Sequence, residues 1–145
     1  MQGNPKIAAA DLSVGQEHEA VVVENLSRTQ IVQYAGASGD FNPIHHDETF
    51  ATKAGYPSVF SHGMLTMGLT GKMLTDWVGD GVINDIGVRF VRQVWPGDTL
   101  TAKGTVRSID ERGDESQIEI DLETTNQKGQ PVVSGSATVV LPARV

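Results

Sequence analysis

The sequence predicts an α+β domain in which an antiparallel sheet curls around one long buried helix. Three observations carry this. Residues 62–78 place Met64, Leu65, Met67, Leu69, Met73, Leu74, Trp77 and Val78 around more than one face of a helix, and a helix that apolar must be mostly buried. The half of the chain that follows alternates apolar and polar residues at the strand period, in runs separated by short turn signals. One further strand-like run precedes all the helical segments. At 145 residues the chain suits one domain spanning residues 1–145, burying about two-thirds of its surface, and is too short for two ordinary ones.

In chain order, Ala8 to Gly15 reads as an irregular lead-in ending in a turn. Glu17 to Glu24, with Val21-Val22-Val23, suits the first strand. Ser27-Arg28-Thr29-Gln30 matches an S-x-x-Q capping box, and Ile31, Tyr34 and Ala35 follow at helical period, so a helix is expected from about Arg28 to Ala37. At that spacing Tyr34 reads as a packing residue. Asp47-Glu48-Thr49-Phe50 begins another short helix that ends near Gly55, before Pro57. Its acidic first turn complements the helix dipole, which makes Asp47 and Glu48 structural.

Within the long helix, Gly63, Gly68 and Gly71 each cost about 1 kcal/mol relative to alanine. Close approach of other backbone, or of a ligand, would account for that cost. Methionines in this segment read as core filler. Beyond it, Ile86, Val88 and Phe90 alternate. Trp95-Pro96-Gly97-Asp98 turns, and Leu100, Ala102, Gly104 and Val106 alternate again. Glu111 to Glu115 reads as a charged, solvated loop, Ile118, Ile120 and Leu122 as a strand, and Asn126-Gln127-Lys128-Gly129 as a hairpin turn leading to Val133, Ala137, Val139 and Leu141. Consecutive strands on short turns should pair antiparallel as a meander.

Composition narrows the function. A formal charge of -7 and a pI near 4.9 leave no broad basic face, so nucleic acid is a poor partner, although eleven basic residues suffice for a local phosphate pocket. The absence of cysteine excludes disulfides, thiolate metal sites and a cysteine nucleophile. The start, Met1 to Lys6, lacks a signal-peptide pattern, and no run of about eighteen apolar residues exists, so the expected location is the cytoplasm and no membrane association is expected. Asn25-Leu26-Ser27 fits a glycosylation sequon and is read as coincidental.

The loop from Tyr34 to Asp47 is the one place where a carboxylate and an imidazole stand close together on a constrained backbone. Gly39 reaches angles closed to other residues, Pro43 fixes its own φ, and Asn42 before it is pushed into an extended conformation. A turn at Asn42-Pro43 could bring Asp40 and His45 on to one water, as a proton donor and acceptor pair requires. Gly-Asp and Asn-Pro are also ordinary turn dipeptides, and Asp40 could simply bond a nearby backbone N–H. His45-His46-Asp47 hints at a metal, but adjacent residues rarely point to one centre, so none is assigned. Gly63 lies at a helix start, where unpaired N–H groups and the dipole favour a developing oxyanion; an ordinary helix-entry glycine is the alternative.

Gly39-Asp40-Phe41-Asn42-Pro43-Ile44-His45, followed seventeen residues after that histidine by His62-Gly63-Met64, resembles the G-D-x-N-P-[IL]-H and H-G-M signature of the MaoC-like, or R-specific, enoyl-CoA hydratase family. The likeness runs from about Val14 to Leu141, and within the family it is similar to the catalytic-subunit type of 3R-hydroxyacyl-thioester dehydratase. The resemblance implies a hot-dog fold and reversible hydration of trans-2-enoyl thioesters to 3R-hydroxyacyl thioesters. Asp40, His45 and Gly63 would be the catalytic positions, with Asn42, His62 and Met64 at the substrate, and no cofactor would be needed. The substrate carrier would be coenzyme A or acyl carrier protein, and the assembly a homodimer, or a heterodimer with another hot-dog chain. Gly71 departs from the pattern: some of these hydratases carry a serine near that position, which puts chain-length preference in doubt. Arg89, Arg92 and Lys72 could meet a phosphate or serve surface solubility. A non-catalytic thioester-binding partner and a thioesterase on the same fold are the competing functions.

Overall fold

A computed structural model describes residues 3–144. Met1 and Gln2, at the start read above for a signal peptide, and Val145 lie outside the described residues. The elements run β1 (Asn4–Pro5), β2 (Glu17–Val23), α1 (Arg28–Ser38), α2 (Glu48–Lys53), α3 (Gly63–Val78), β3 (Gly79–Asp80), β4 (Ile83–Phe90), β5 (Leu100–Arg112), β6 (Glu115–Thr125) and β7 (Pro131–Pro142), with 3-10 turns at Ala9–Asp11 and Pro43–His45.

Five strands form one sheet in the order β2-β5-β6-β7-β4, every neighbouring pair antiparallel. The expected meander needs one correction. β4 does not pair with β5, which follows it; it crosses to the far edge and pairs with β7, from Ile83 opposite Val139 to Phe90 opposite Val133. Turn lengths explain the difference. β5, β6 and β7 are linked by short hairpins, whereas the Val91 to Thr99 connection is long enough to traverse the sheet. The charged loop at 111–115 is also shorter than expected. Arg112 and Glu115 are paired strand residues, and only Gly113 and Asp114 turn, with Gly113 at φ +71°. β1 and β3, which carry no sequence signal, form a separate two-stranded clasp.

The sheet's concave face holds α3. Met73, Leu74, Trp77 and Val78 pack with Ala102, Val106, Ile118, Ile120, Val139 and Leu141. Gly104 admits this contact, because a Cβ there would stand 3.0 Å from the Trp77 ring. A buried hydroxyl pair, Thr70 Oγ1 to Thr124 Oγ1 at 2.6 Å, joins α3 to β6. The other end of the domain is a second cluster containing Val23, Leu26, Ile31, Val94, Leu100 and Val132.

Burial of α3 is less complete than its composition suggests. Met73, Leu74, Trp77 and Val78 of its C-terminal half are buried, but Met64 is 54% exposed and Gly68 is exposed. No atom lies within 4 Å of where a Cβ would stand on Gly68 or Gly71, so close packing does not explain these two glycines. They border an apolar groove with Tyr34, Met67, Ile83 and Ile86. Gly63 is the helical glycine that is closely approached, with the Phe90 ring 3.1 Å from a Cβ position.

Candidate active site

The loop after α1 is prescribed residue by residue. The Ser27 and Gln30 capping box starts the helix as expected, and Gly39, at φ +74°, ends it with its N–H on the Ala35 carbonyl, 3.0 Å. Three side-chain turns then follow one another. Ser38 Oγ accepts from the Asp40 N–H, Asp40 Oδ1 from the Asn42 N–H at 3.3 Å, and Asn42 Oδ1 from the Ile44 N–H at 3.1 Å. Asn42 thereby caps the 3-10 turn that carries His45. Asp47 caps α2 through the Phe50 N–H, and Glu48 pairs with Arg28 of α1, closing the base of the loop.

This path brings Asp40 and His45 together, with Asp40 Oδ2 3.9 Å from His45 Nε2. That gap is too long for a direct hydrogen bond, but a water about 2.8 Å from each atom would bridge them at an angle of about 90°. The carboxylate is open, its side chain 53% exposed, whereas His45 is buried. The tautomer of His45 follows from its other nitrogen. Nδ1 lies 2.6 Å from the Phe60 carbonyl oxygen, which can only accept, so Nδ1 carries the proton and Nε2 presents a lone pair toward Asp40. Burial pushes the His45 pKa below its ordinary value. The Phe60 carbonyl and Asp40 oppose that shift, and His62 and His46 add to it.

His62 is buried at 2% exposure, and its ring stacks on His45 with centroids 3.7 Å apart. Its Nε2 donates to the backbone carbonyl of Asp40 at 3.0 Å, while its Nδ1 and the neighbouring Ser61 Oγ are buried without partners. Gly63, one residue on, is the first residue of α3. It lines a cleft of about 300 Å³ whose walls also include Phe60, Ser61, Thr66, Phe90 and Arg92. The Ser61 N–H bond to the Val94 carbonyl, 2.8 Å, holds the α3 entrance against the β4–β5 connection. Asp40, His45 and His62 do not line that cleft; Phe60, which does, takes the His45 Nδ1–H on its carbonyl. Met64 is largely exposed and lines the apolar groove on the outer face of α3. Of the cations considered for a phosphate, Arg92 borders the cleft and Lys72 borders the groove, where it is paired with Asp76.

The His45-His46-Asp47 trio does not converge, since His46 Nε2 bonds the Phe41 carbonyl and Asp47 caps a helix. Among the described residues a different set, Asp40, His45 and His62, is compact enough for a cation, with one ligand atom from each lying within 4.8 Å of the others. The Nε2–H of His62 is already committed to a carbonyl, which leaves one carboxylate and one imidazole nitrogen free. A water suits that pair better than a metal ion. Sequence reasoning missed two functional features, the Phe60 carbonyl that sets the His45 tautomer and the His62 bond to the Asp40 backbone. Both involve main-chain oxygens, and a sequence carries no signal for those.

A curled antiparallel sheet around a central helix, with a carboxylate and an imidazole nitrogen 3.9 Å apart beside the helix entrance, puts a candidate acid/base pair on a hot-dog scaffold. The MaoC like domain model matches residues 9–128, and the chain belongs to that family. It is 33% identical over 136 residues to an (R)-specific enoyl-CoA hydratase of Rhodospirillum rubrum, covering 92% of this chain and 91% of that one. It is 46% identical over 68 residues to the 3-hydroxyacyl-thioester dehydratase Y of Mycobacterium tuberculosis, a stretch that makes up 44% of this chain and only 23% of that longer protein. The solved R-hydratase PhaJ1 of Pseudomonas aeruginosa, unliganded, superposes with a TM-score of 0.83 at 25% identity, over 99% of this chain and 90% of that one. The fold is the hot-dog fold.

Proposed function

We propose that the chain is one MaoC-like domain, residues 1–145, that catalyses reversible hydration of trans-2-enoyl thioesters to 3R-hydroxyacyl thioesters. The observation that carries this is the 3.9 Å gap between Asp40 Oδ2 and the unprotonated Nε2 of His45. In the hydration direction, a water held by both groups loses a proton to His45 Nε2, and its oxygen bonds to C3 of the substrate. The C2–C3 π pair moves toward the thioester, and charge builds on the carbonyl oxygen, where the Gly63 amide at the positive end of α3 stabilises it. The Asp40 and His45 pair then returns that proton to C2, which restores the bare Nε2 of His45. Water adds across the double bond with no net redox change, so no cofactor is required. Asn42 holds the loop through its bond to Ile44, His62 flanks the base, and Met64 marks the apolar side on which an acyl chain would lie.

The partner in solution is a second hot-dog chain, a copy of this one being the first choice. The apolar groove along α3 and the exposed Phe41, Met64 and Phe90 support an interface, and they leave the Asp40 side of the site open to be walled by a neighbour. No helix among the described residues is long and apolar enough to cross a membrane. We place the enzyme in the cytoplasm, acting on coenzyme A or acyl carrier protein thioesters.

Purified protein should bleach the conjugated absorbance of a short trans-2-enoyl-CoA. Asp40→Asn and His45→Gln should each slow turnover by about a hundredfold or more. Release of free thiol in place of bleaching would make the protein a thioesterase, and full activity in both variants would remove the pair from catalysis.

A further inference from the structure

We propose that His62 is a positioning residue for this reaction: through Nε2–H it fixes the backbone of Asp40, and through its stacked ring it keeps His45 in the form that accepts a proton. The inference rests on the hydratase reading above, and its tests separate the two.

The first half of the argument is mechanical. The Asp40 side chain is more than half exposed, and its own bonds, to the Asn42 N–H and through its amide to Ser38, are local to the loop. Nothing in that loop fixes its distance from α3. The His62 bond to the Asp40 carbonyl, 3.0 Å and twenty-two residues away in sequence, does so. It ties the carboxylate to the same helix entrance that presents the Gly63 amide. Tyr34 of α1 meets the His62 ring edge-on at 5.0 Å, so the imidazole is clamped between α1 and His45.

The second half is electrostatic. The titratable groups facing the two stacked rings are Asp40 from the loop, His46 from the end of the 3-10 turn and Tyr34 from α1. Two cationic imidazoles stacked at 3.7 Å would repel strongly. A proton on either ring therefore discourages one on the other. His62 Nδ1 is buried without a hydrogen-bond partner. With His45 Nδ1–H on the Phe60 carbonyl and His62 Nε2–H on the Asp40 carbonyl, each ring has one fixed tautomer, and His45 Nε2 is left bare.

Two substitutions divide these roles. His62→Phe keeps a flat ring and loses the donor, whereas His62→Gln can place an amide N–H near the Nε2 position and loses the second ionisable ring. For His62→Phe the expected result is a fall in kcat of about tenfold or more with KM changed less than about threefold, because misplaced catalytic groups cost rate more than binding. For His62→Gln, kcat at high pH should recover most of that loss, while the acid limb of the kcat/KM profile moves up by about half a pH unit or more. A wild-type kcat in His62→Phe, or an unmoved acid limb in His62→Gln, overturns the proposal. The imidazole nitrogen NMR spectrum of the wild-type protein supplies a readout independent of turnover. It should show His62 as the Nε2–H and His45 as the Nδ1–H tautomer, and the opposite assignment of either ring also overturns it. If the wild-type protein fails to hydrate any enoyl thioester while the tautomers are as stated, the hydratase reading fails and the anchoring of Asp40 stands.

Discussion

The buried state of His45 predicts how acid should weaken this fold. In the native protein its pKa is held below the usual value of about 6.5, chiefly by burial, whereas in the unfolded chain it returns to that value. Between the two, the unfolded chain binds more protons than the native one, so stability rises with pH across this window and is lost as pH falls below about 6.5. The slope from this one residue can reach at most about 1.4 kcal/mol per pH unit, and it flattens once the native ring is itself protonated. The comparison to make is urea unfolding of wild type and His45→Gln at matched pH values from about 8 to about 5, which cancels the background titration of the other groups. Relative to the glutamine variant, wild type should lose ground steadily on acidification. A stability difference that stays constant, or that grows in favour of wild type as pH falls, would refute the assignment of His45 as a buried neutral base. The same depression predicts that the acid limb of wild-type kcat/KM lies below about 6.5.

Three further outcomes are expected. Gly63→Ala should alter stability by less than about 1 kcal/mol, because helix propensity gained offsets a displacement of the half-exposed Phe90 ring; turnover should fall about tenfold or more as the methyl group crowds the amide, and an unchanged kcat would remove that amide from the reaction. Ser61→Ala should leave thermal stability unchanged or raise it slightly, since the buried hydroxyl has no partner; a loss above about 2 kcal/mol would mean that it makes a bond essential to the fold. Gly135→Ala should cost more than about 3 kcal/mol, because its Cβ would stand 2.0 Å from the Gly87 carbonyl oxygen on the paired strand. Hydrogen exchange should then show residues 83–90 opening first, and a uniform loss of protection would argue against this local cause.

The elements that announced themselves in the sequence did so through local chemistry. The capping box at Ser27 and Gln30, the αL glycine at 39, the Asn42-Pro43 turn and the alternation from Leu100 onward each act within a few residues, and the structure follows them closely. What escaped is non-local. Whether β4 pairs with β5 or with β7 is decided by the length of the 91–99 connection and by Gly135, where the two backbones meet, and neither has a periodic signature. The exposure of the outer face of α3 is decided by the absence of a covering element rather than by anything in the helix. At the site, the residue types and their order pointed to Asp40 and His45, but the tautomer came only from the Phe60 carbonyl. His62 read in sequence as a substrate contact, while its Nε2 is found on the Asp40 main chain.

That main-chain bond gives the spacing between the two signature segments a mechanical meaning. Residues 39–45 and 62–64 behave as two halves of a buckle, fastened across α1, the 3-10 turn and the entrance of α3. The strap between them, carrying α2, is stitched to α1 at its surface by Arg28 and Glu48. On the proposal above, that strap could be lengthened or restyled around residues 52–57 without moving the buckle, whereas removing the one His62 donor should let the Asp40 carboxylate drift from His45.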